Sequence, residues 1–330
     1  MYTISIETFD NFKKAYQILT SSIYGKGKTI GDLNSDLEQA YVVSTNSDKQ
    51  IVSCCIYYPK TEMSYENKKV VCFGYFESLD DPQSVKSLVK YLTGKVNKAQ
   101  QILFAPINGN TWNQYRLSLN SDQIMFPMDI ANPPYYSALL KEAGFEMARN
   151  YASHRVTSFN YDQEQATRKM EKLKSVGVSI RNIDLDQFDS ELDQVYNLCI
   201  SSFKNSFLFS PIKKETFKKK YLQQKSYIQE DYIWMAVDSE DQLVGMMFAL
   251  SFLAPDGSKA YIAKTLARLP DRRYAGIGTV LSGLLQKKAI KDECSFGVNA
   301  FMEEDNVSNV LSTKVSGKKA KSYALYRLSK

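Results

Sequence analysis

Apolar residues recur at three- and four-residue spacing between residues 186 and 203, and this spacing predicts an amphipathic helix. The preceding segment, 177–183, has the apolar and polar pattern of a strand, and a further helix is expected at about 213–225. The second half of the chain is therefore expected to begin with one strand and two helices. The apolar positions of the first helix are Phe188, Leu192, Val195, Tyr196, Cys199 and Phe203.

Strands dominate the rest of the second half. The pattern predicts a hairpin at 232–254, a strand at 259–268, a helix at about 277–291, a strand at 295–302, a helix at about 306–316 and a last strand at 322–328. The element order is then β-α-α-β-β-β-α-β-α-β. This order predicts an α+β fold, with a mixed, mostly antiparallel sheet between helices on both faces.

The two halves of the chain resemble each other. Residues 41–58 match residues 233–250, with Ser, Gln and Val at equal places in a strand, a polar turn and a strand. Residues 151–156 match residues 323–328, with Tyr, Ala and Arg in place, and mark the two closing strands. Self-similarity of this kind indicates a duplicated unit, so the fold is expected twice in tandem.

The chain divides between the two copies. The segment 161–175 is charged and lacks β-branched core residues, so it suits a helical or extended linker. We therefore predict one domain at residues 1–160 and another at residues 176–330. The first copy has about 20 additional residues, which alignment of the strands assigns to 109–131.

The segment 109–131 is a long loop rich in polar and aromatic residues. It contains Trp112, Tyr115 and Arg116. Long loops in compact domains are more often functional than decorative. A position over the cleft of the second half is one hypothesis for this loop.

Composition excludes several classes of protein. The chain has 330 residues, 44% of them hydrophobic and 24% charged, which is the balance of an ordinary globular protein. The net charge of +6 is too small to indicate nucleic-acid binding, and the longest apolar run, 243–254, is too short to cross a membrane. The N-terminus does not have the pattern of a signal peptide. A monomer or homodimer without a nucleic-acid or membrane partner is expected.

The cysteines favour a reducing environment. There are five, an odd number, and Cys54 and Cys55 are adjacent in a strand-like run, where they point to opposite faces. No cysteine or histidine spacing is typical of a metal site. Buried free thiols in a cytoplasmic protein are the simplest interpretation.

The loop 271–278 joins an apolar strand to a helix and has features of an anion site. A helix N-terminus presents backbone N–H groups without intrahelical partners and about half a positive charge. Gly276 and Gly278 let a phosphate approach the backbone, and Arg272 and Arg273 add positive charge. The spacing is neither GxGxxG nor GxxxxGK[ST], so dinucleotide-binding and P-loop sites are not favoured. A glycine-rich turn that serves only tight packing remains the alternative.

The segment 273-RYAGIG-278 has the form [QR]-x-x-G-x-[GA]. It resembles the acyl-CoA loop of the GCN5-related N-acetyltransferases (the GNAT superfamily), and the element order above is also that family's order. The resemblance covers the second half and, through the repeat, more weakly the first, so the chain looks like a tandem GNAT protein.

The resemblance implies acetyl-CoA or another acyl-CoA as cosubstrate. Backbone groups of Leu266, Ala267 and Arg268 would hold the pantetheine arm, and Asn306 would open the next helix. The pyrophosphate would be bound by Arg273, Tyr274, Ala275, Gly276, Ile277, Gly278 and Thr279.

The first half lacks this loop. Its equivalent, residues 75–92, has no glycine, and Asp80 and Asp81 occupy the places where phosphates would lie. A carboxylate repels a phosphate, whereas an aspartate before Pro82 is an ordinary helix start. The first half is therefore interpreted as a degenerate copy that serves as a structural partner or substrate platform.

Catalytic groups are less evident. By the resemblance, the general acid would be a tyrosine six or seven residues beyond Asn306, where this chain has Ser312 and Thr313. Tyr323 and Tyr326 are the nearest substitutes, but their odd separation places them on opposite faces of a strand. A packed core aromatic is the favoured interpretation of each.

The acidic turn after the strand at 295–302 offers a general base, with Glu304 near the expected acceptor. A solvated helix cap explains the same acidic turn. The lone histidine, His154, is interpreted as a structural strand residue rather than a catalyst.

Three functions remain open. The first is an acyl-CoA-dependent N-acyltransferase that acetylates a small-molecule or peptide amine by direct attack. The second is a tandem GNAT binding or scaffold protein without turnover. The third is a GNAT-like transferase that uses another donor, such as an aminoacyl-tRNA or a long-chain acyl-CoA.

Overall fold

The structure is a computed structural model that describes the chain except residues 32, 34–35, 121–123, 160–161, 305–306, 315 and 330. The helices of the first half are α1 (Phe9–Tyr24), α2 (Pro82–Thr93) and α3 (Tyr136–Glu142). Its strands are β1 (Thr3–Glu7), β2 (Ala40–Thr45), β3 (Ile51–Tyr58), β4 (Ser64–Tyr65), β5 (Lys68–Ser78), β6 (Gln101–Ala105), β7 (Leu117–Ser118) and β8 (Phe145–Val156).

The second half has the predicted element order. Its helices are α5 (Phe188–Phe203), α6 (Lys214–Leu222), α7 (Ile277–Lys291) and α8 (Val307–Lys314). Its strands are β9 (Ser179–Asn182), β10 (Ile233–Val237), β11 (Leu243–Leu253), β12 (Lys259–Arg268), β13 (Phe296–Glu303) and β14 (Gly317–Leu328). Between the halves lies helix α4 (Gln163–Ser175).

All of these strands belong to one sheet, in which the closing strands of the two halves are exchanged. The strand order is β1-β2-β3-β5-β6-β14-β8-β13-β12-β11-β10-β9, with β4 beside β5 and β7 beside β14. The last strand of the second half therefore pairs with β6 of the first, and β8 of the first half pairs with β13 of the second. The predicted mostly antiparallel sheet is confirmed, and only β5–β6 and β12–β13 are parallel pairs in the part that the structure describes.

An approximate two-fold axis at the centre of this sheet relates the two copies of the repeat. Tyr151 and Tyr323, which are equivalent in the repeat, are direct partners across the antiparallel strands β8 and β14. In the repeat, Ala152 is equivalent to Ala324 and Asn150 to Ser322. The pairing is crossed, because Ala152 lies opposite Ser322 and Asn150 lies opposite Ala324. The axis passes between the two tyrosines and relates the first half to the second.

Helices cover both faces of the sheet. Helix α1 packs on one face of the first half, with Phe12 and Leu19 fully buried, and α5 packs on the second half with Leu192 and Leu198. Helices α2 and α3 form a separate core on the opposite face of the first half. In the second half α7 occupies the face away from α5, where Ile277 and Leu281 are buried.

The linker is helical and is attached to the second half. Asp162 caps α4 by accepting a hydrogen bond from the backbone N–H of Gln165 at 2.9 Å. Leu173 is buried in the core formed with α7. The linker therefore brings its polar residues to the start of α7, next to the glycine loop.

The five cysteines are free and buried. Within the described ranges, the chain contains no helix long and apolar enough to cross a membrane. No group of three or more His, Cys, Asp or Glu side chains is placed to hold a metal ion among the residues the structure describes.

Candidate active site

The two central strands of the second half separate from each other at one end. The parallel pairing of β12 and β13 runs from Ala260 opposite Phe296 to Ala263 opposite Asn299 and then stops. Strand β12 nevertheless continues to Arg268. A β-bulge between Phe248 and Ala249 on β11 shifts the register at the same level. Backbone groups on the inner edge of β12 are thus available beyond Ala263.

The glycine loop begins helix α7 at the end of this opening. Gly276 has φ of 111°, in the left-handed region that favours glycine, and no side chain caps the helix there. A Cβ at Gly278 would lie 3.3 Å from Leu311 and 3.4 Å from Leu266, so a side chain would fill the gap between α8 and β12. The first turn of α7 therefore presents uncapped N–H groups to the opening.

The side chains of the loop face away from this turn. Tyr274 is buried and donates its hydroxyl to Asp238 at 3.1 Å, and Ile277 is fully buried. Arg273 forms an ion pair with Asp271 at 2.8 Å on the surface. Of this loop, the backbone around Gly276 and Gly278 is the part suited to a ligand.

Helix α4 adds a cation that the sequence pattern did not indicate. Lys169 lies along the loop, with its Cδ 3.5 Å from the position of a Cβ on Gly276. Its ammonium donates to the Thr279 hydroxyl at 3.0 Å. Lys169 lies more than 100 residues before the loop, so sequence spacing alone could not have linked them.

A cavity of about 900 Å³ passes through the opening and joins the two faces of the sheet. On the α7 face its wall includes Gly278, Ser282 and Ser312; on the α5 face the wall is largely apolar. The predicted pantetheine-binding residues Leu266, Ala267 and Arg268 line it. The apolar wall on the α5 face is formed by Phe188, Leu192, Val195, Cys199, Phe203, Ile233, Met246 and Phe248.

The additional loop of the first half closes the cavity on the α5 face. Trp112, Tyr115 and Arg116 all line the cavity. The indole N–H of Trp112 donates to the carbonyl of Ser210 at 2.7 Å, and the ammonium of Lys220 donates to the carbonyl of Trp112. The two halves thus build one cleft between them.

Among the described residues, four cations line the cavity. Arg116 comes from the first half, Lys220 comes from α6, and Lys264 and Arg268 come from β12. Burial lowers the pKa of Lys220 to about 8, with a further contribution from the nearby charge of Lys264. Burial also lowers the pKa of Lys264. Arg116 keeps its charge at any physiological pH, so this part of the cavity carries positive charge.

The predicted catalytic tyrosines lie in the core of the first half. Tyr323 donates to Asp129 at 2.8 Å, and the hydroxyl of Tyr326 lies 2.6 Å from that of Ser137. Both tyrosines are completely buried, on opposite faces of β14 as expected, and burial raises the pKa of each phenol. Neither is among the described residues that line the cavity.

The predicted acidic group lies at the edge of the site. Glu304 forms an ion pair with Lys319 and does not line the cavity. Its neighbour Glu303 does line it and pairs with Arg149 at 3.3 Å. Asn306, the predicted residue that opens α8, lies outside the described residues.

A hydrogen-bonded group occupies the position where the family pattern would place a tyrosine. Ser312 lines the cavity and accepts from the Asn299 amide at 2.8 Å. Its hydroxyl also lies 3.1 Å from Nδ1 of His154, which comes from the exchanged strand β8. Burial, and next the charge of Lys319, lowers the pKa of His154, so this imidazole is neutral at pH 7.

The corresponding opening in the first half is sealed by the chain itself. Pairing of β5 and β6 ends at Cys72 opposite Phe104, but the backbone N–H of Ile107 then donates to Phe73 at 2.9 Å. The N–H of Tyr75 donates to the side chain of Asn108 at 2.8 Å.

The N-terminus of helix α2 in the first half is capped by a side chain. Asp81 accepts from the N–H groups of Gln83 and Ser84, both at 3.1 Å. Before it, the buried carboxylate of Glu77 accepts from three tyrosine hydroxyls and from Lys28 at 2.9 Å. The start of α2 is therefore capped by a carboxylate, whereas the start of α7 has no side-chain cap.

No protein-family model matches the chain. No curated protein matches either. Solved structures do match, with probability 1.00. The fold is that of GNAT proteins, including tandem ones, as the sequence resemblance predicted.

Three of these structures show the extent of the likeness. A tandem GNAT protein from the clavulanic acid biosynthesis pathway is 9% identical with a TM-score of 0.53, over 99% of this chain and 98% of that one. A GCN5-related N-acetyltransferase from Sphaerobacter thermophilus is 10% identical with a TM-score of 0.52, over 99% and 95%. A glucosamine N-acetyltransferase region of a fungal multi-domain β-N-acetylglucosaminidase is 12% identical with a TM-score of 0.55, and the match covers 99% of this chain and 38% of that one.

Proposed function

We propose that this chain, which has the fold of tandem GNAT proteins, is an acyl-CoA-dependent N-acyltransferase whose acyl-CoA site lies in the second half. The observation that carries the proposal is the cavity through the sheet at the separation of β12 and β13, with the uncapped start of α7 on one face. The amine nitrogen of an acceptor attacks the thioester carbonyl, the C–N bond forms and the C–S bond breaks. The nitrogen loses one proton and the leaving thiolate takes up one, so the step is balanced. No covalent enzyme intermediate is required.

The acyl-CoA site is the one expected from the sequence, with one addition. Backbone groups of Leu266, Ala267 and Arg268 hold the pantetheine arm, and the N–H groups of residues 276–279 hold the pyrophosphate. Lys169 supplies a positive charge beside them, because its ammonium already lies 3.0 Å from Thr279 Oγ1. Gly276 and Gly278 keep this backbone accessible.

Ser312 is proposed as the group that donates a hydrogen bond to the leaving thiolate. It lines the cavity, whereas Tyr323, Tyr326 and Glu304 do not, and their catalytic role stays a prediction from sequence. Asn299 and His154 fix the position of the Ser312 hydroxyl through contacts of 2.8 and 3.1 Å. A neutral His154 next to this hydroxyl is able to accept or return a proton.

Acetyl-CoA is the donor that the loop resemblance implies, and a longer acyl group also has room. The wall on the α5 face is apolar, with Phe188 and Leu192 buried in it. An acyl chain that enters this region exchanges water for apolar contacts. Donor length is therefore the first variable to measure.

The test combines binding and turnover. The melting temperature is measured with acetyl-CoA and with acyl-CoAs of increasing length, and free CoA thiol is then measured with a panel of amines. We expect a rise in melting temperature that Gly276→Glu abolishes, together with thiol release that depends on the amine. The absence of a shift with every acyl-CoA would refute the site.

Gly257→Glu is the matched control. Gly257 also has a left-handed φ, of 81°, and open space around it, but it lies in the turn after β11. Both substitutions add the same charge and similar backbone strain. Only the Gly276 variant is expected to lose acyl-CoA binding.

A binding or scaffold protein is the alternative, favoured by the burial of both candidate tyrosines. It predicts a rise in melting temperature with acyl-CoA and no thiol release with any amine. The cytoplasmic location, the monomeric or dimeric state and the domain boundaries at residues 160 and 176 stay predictions.

A further inference from the structure

Arg116 is buried in the additional loop with part of its guanidinium unpaired. Only 6% of the residue is exposed, and it lines the cavity. Its Nε and Nη1 atoms are inaccessible to solvent and have no hydrogen-bond partner among the residues the structure describes. Arginine carries five N–H donors and stays charged at any physiological pH, so such a group normally has an anionic partner.

The surroundings of Arg116 hold it in place without satisfying these donors. Its guanidinium carbon lies 3.8 Å from the ring centroid of Tyr115, 4.1 Å from that of Tyr151 and 4.9 Å from that of Phe301. These rings stabilise a cation but accept no strong hydrogen bond. The backbone is fixed as well, because the N–H of Arg116 donates to the carbonyl of Pro106 at 3.0 Å.

The backbone of Arg116 is also in an unusual conformation. Its φ is 89°, which non-glycine residues rarely adopt and which persists only where the surroundings impose it. Strained residues of this kind are concentrated at functional sites. The conformation places the guanidinium against Tyr151 and Phe301, at the wall of the cavity.

Of the residues that the structure describes, two carboxylates line the cavity, and both already form ion pairs with cations other than Arg116. Asp129 accepts from Lys321 at 3.0 Å and from the hydroxyl of Tyr323 at 2.8 Å, and all of its side chain is buried. Glu303 pairs with Arg149 at 3.3 Å. The wall is therefore left with an excess of positive charge.

Two lysines, Lys220 and Lys264, also contribute positive charge to this wall. The ammonium groups of Lys220 and Lys264 contact a backbone carbonyl and the sulfur of Met128, respectively. Neither lies within ion-pair distance of a carboxylate in the described part of the chain. An anion is the complement that this part of the cavity lacks.

We propose that Arg116 binds an oxyanion of the acceptor, so that the acceptor is an amine that also carries a carboxylate or a phosphate. This rests on the proposed acyltransferase function and names the substrate class of the same cavity. An arginine fork matches the geometry of either oxyanion, and removal of water from the site strengthens the pair.

The anion bound by Arg116 is distinct from the phosphates of the acyl-CoA. The glycine loop belongs to the α7 side of the sheet, where Ile277 and Val280 are packed. Arg116 contacts Tyr151 and Phe301, whose cluster is that of α1 and of residues preceding α6. The two anion sites lie on opposite faces of the sheet and the cavity joins them, so an amine and a thioester can meet at the opening.

The experiment compares acceptors that differ only in the oxyanion. Amino acids are compared with their carboxamides and decarboxylated amines, and phosphoethanolamine with ethanolamine, through thiol release from acyl-CoA. We expect about 10- to 100-fold higher kcat/KM for the anionic members. The preference between carboxylate and phosphate identifies which oxyanion is bound.

Variants separate a binding role from a structural one. Arg116→Gln is expected to abolish the preference mainly through KM, while the rise in melting temperature with acyl-CoA is unchanged. Arg116→Lys retains charge but not the fork, and is expected to keep part of the preference. The control is Arg155→Gln, since Arg155 stacks on Phe296 at 3.8 Å but does not line the cavity.

The outcome also separates this inference from the proposed function. Equal use of anionic and neutral amines, or an unchanged preference in Arg116→Gln, would overturn the inference and leave acyl transfer intact. If no amine releases thiol, the same acceptors are added in a thermal-shift assay with and without acyl-CoA. Stabilisation by the anionic members that Arg116→Gln removes would then support the anion site, and its absence would overturn it.

Discussion

Lys169 and Thr279 are joined by a 3.0 Å hydrogen bond that connects the linker helix to the first turn of α7. We expect Lys169→Met to weaken acyl-CoA binding by about 10-fold, because a hydrogen bond to a charged group contributes about 1.5–3 kcal/mol. Isothermal titration calorimetry measures the effect directly.

The control for Lys169 lies on the same helix. Lys172 is exposed, and its substitution by Met removes the same charge, whereas it is Lys169 that contacts Thr279. Equal affinities of the two variants for acyl-CoA would show that Lys169 has no part in the site. The loss of affinity caused by Lys169→Met is expected to be larger at low salt, since salt screens the attraction between this half-buried ammonium and the phosphates of acyl-CoA.

Ser312→Ala is expected to lower kcat about 100-fold or more, the range found for a positioned proton donor, with little change in acyl-CoA affinity. Thr313→Ala is the matched control, because Thr313 is exposed and its hydroxyl donates to the carbonyl of Asn309. Single-turnover rates with saturating acceptor measure the chemical step. Similar rates for both variants would remove Ser312 from the mechanism.

The buried ion pair of Asp129 and Lys321 attaches the additional loop to β14, with neither side chain exposed. Replacing Lys321 by Met leaves the carboxylate without its cation, and we expect a loss of about 3–5 kcal/mol in the free energy of unfolding. Urea denaturation followed by tryptophan fluorescence measures it. The double variant Lys321→Met with Asp129→Leu should recover part of the loss, and a single variant of unchanged stability would contradict the prediction.

The lowered pKa of Lys220 should make the stability of the protein depend on pH. Its pKa is lowered to about 8 in the folded chain, below the ordinary value of about 10.4 in the unfolded chain. Between these values the unfolded chain binds more protons, so the contribution of Lys220 to stability rises with pH, by at most about 1.4 kcal/mol per pH unit. Lys220→Met should therefore be stabilising at pH 7, with the gain shrinking above pH 8. A pH-independent difference between the two proteins would contradict this.

The sequence predicted the parts of the fold that depend on local pattern. The period of Phe188, Leu192 and Cys199 identified α5, and the glycines at 276 and 278 identified the start of α7. Asp81 also caps α2, as its place before Pro82 suggested. In each case the residues that determine the structure are neighbours along the chain.

The remaining parts depend on contacts between distant residues. His154 meets Ser312 because β8 joins the sheet of the other half, and the repeat compares the two halves without showing which strands pair. Arg116 was noted only as a member of a loop, since its burial against Phe301 depends on the whole fold. The signal that was available, a long loop with aromatic residues and one arginine, identified the region but not the role.

The exchange of β8 and β14 limits how the two copies can evolve. Each copy of the repeat contributes one strand to the centre of the other copy's sheet, through a ladder that runs from Gly317 opposite Val156 to Leu328 opposite Phe145. Loss of either copy would therefore remove an interior strand from the sheet of the copy that remains. The first copy is thus retained because the sheet of the second copy needs its strand β8, while the loops of the first copy are free to diverge.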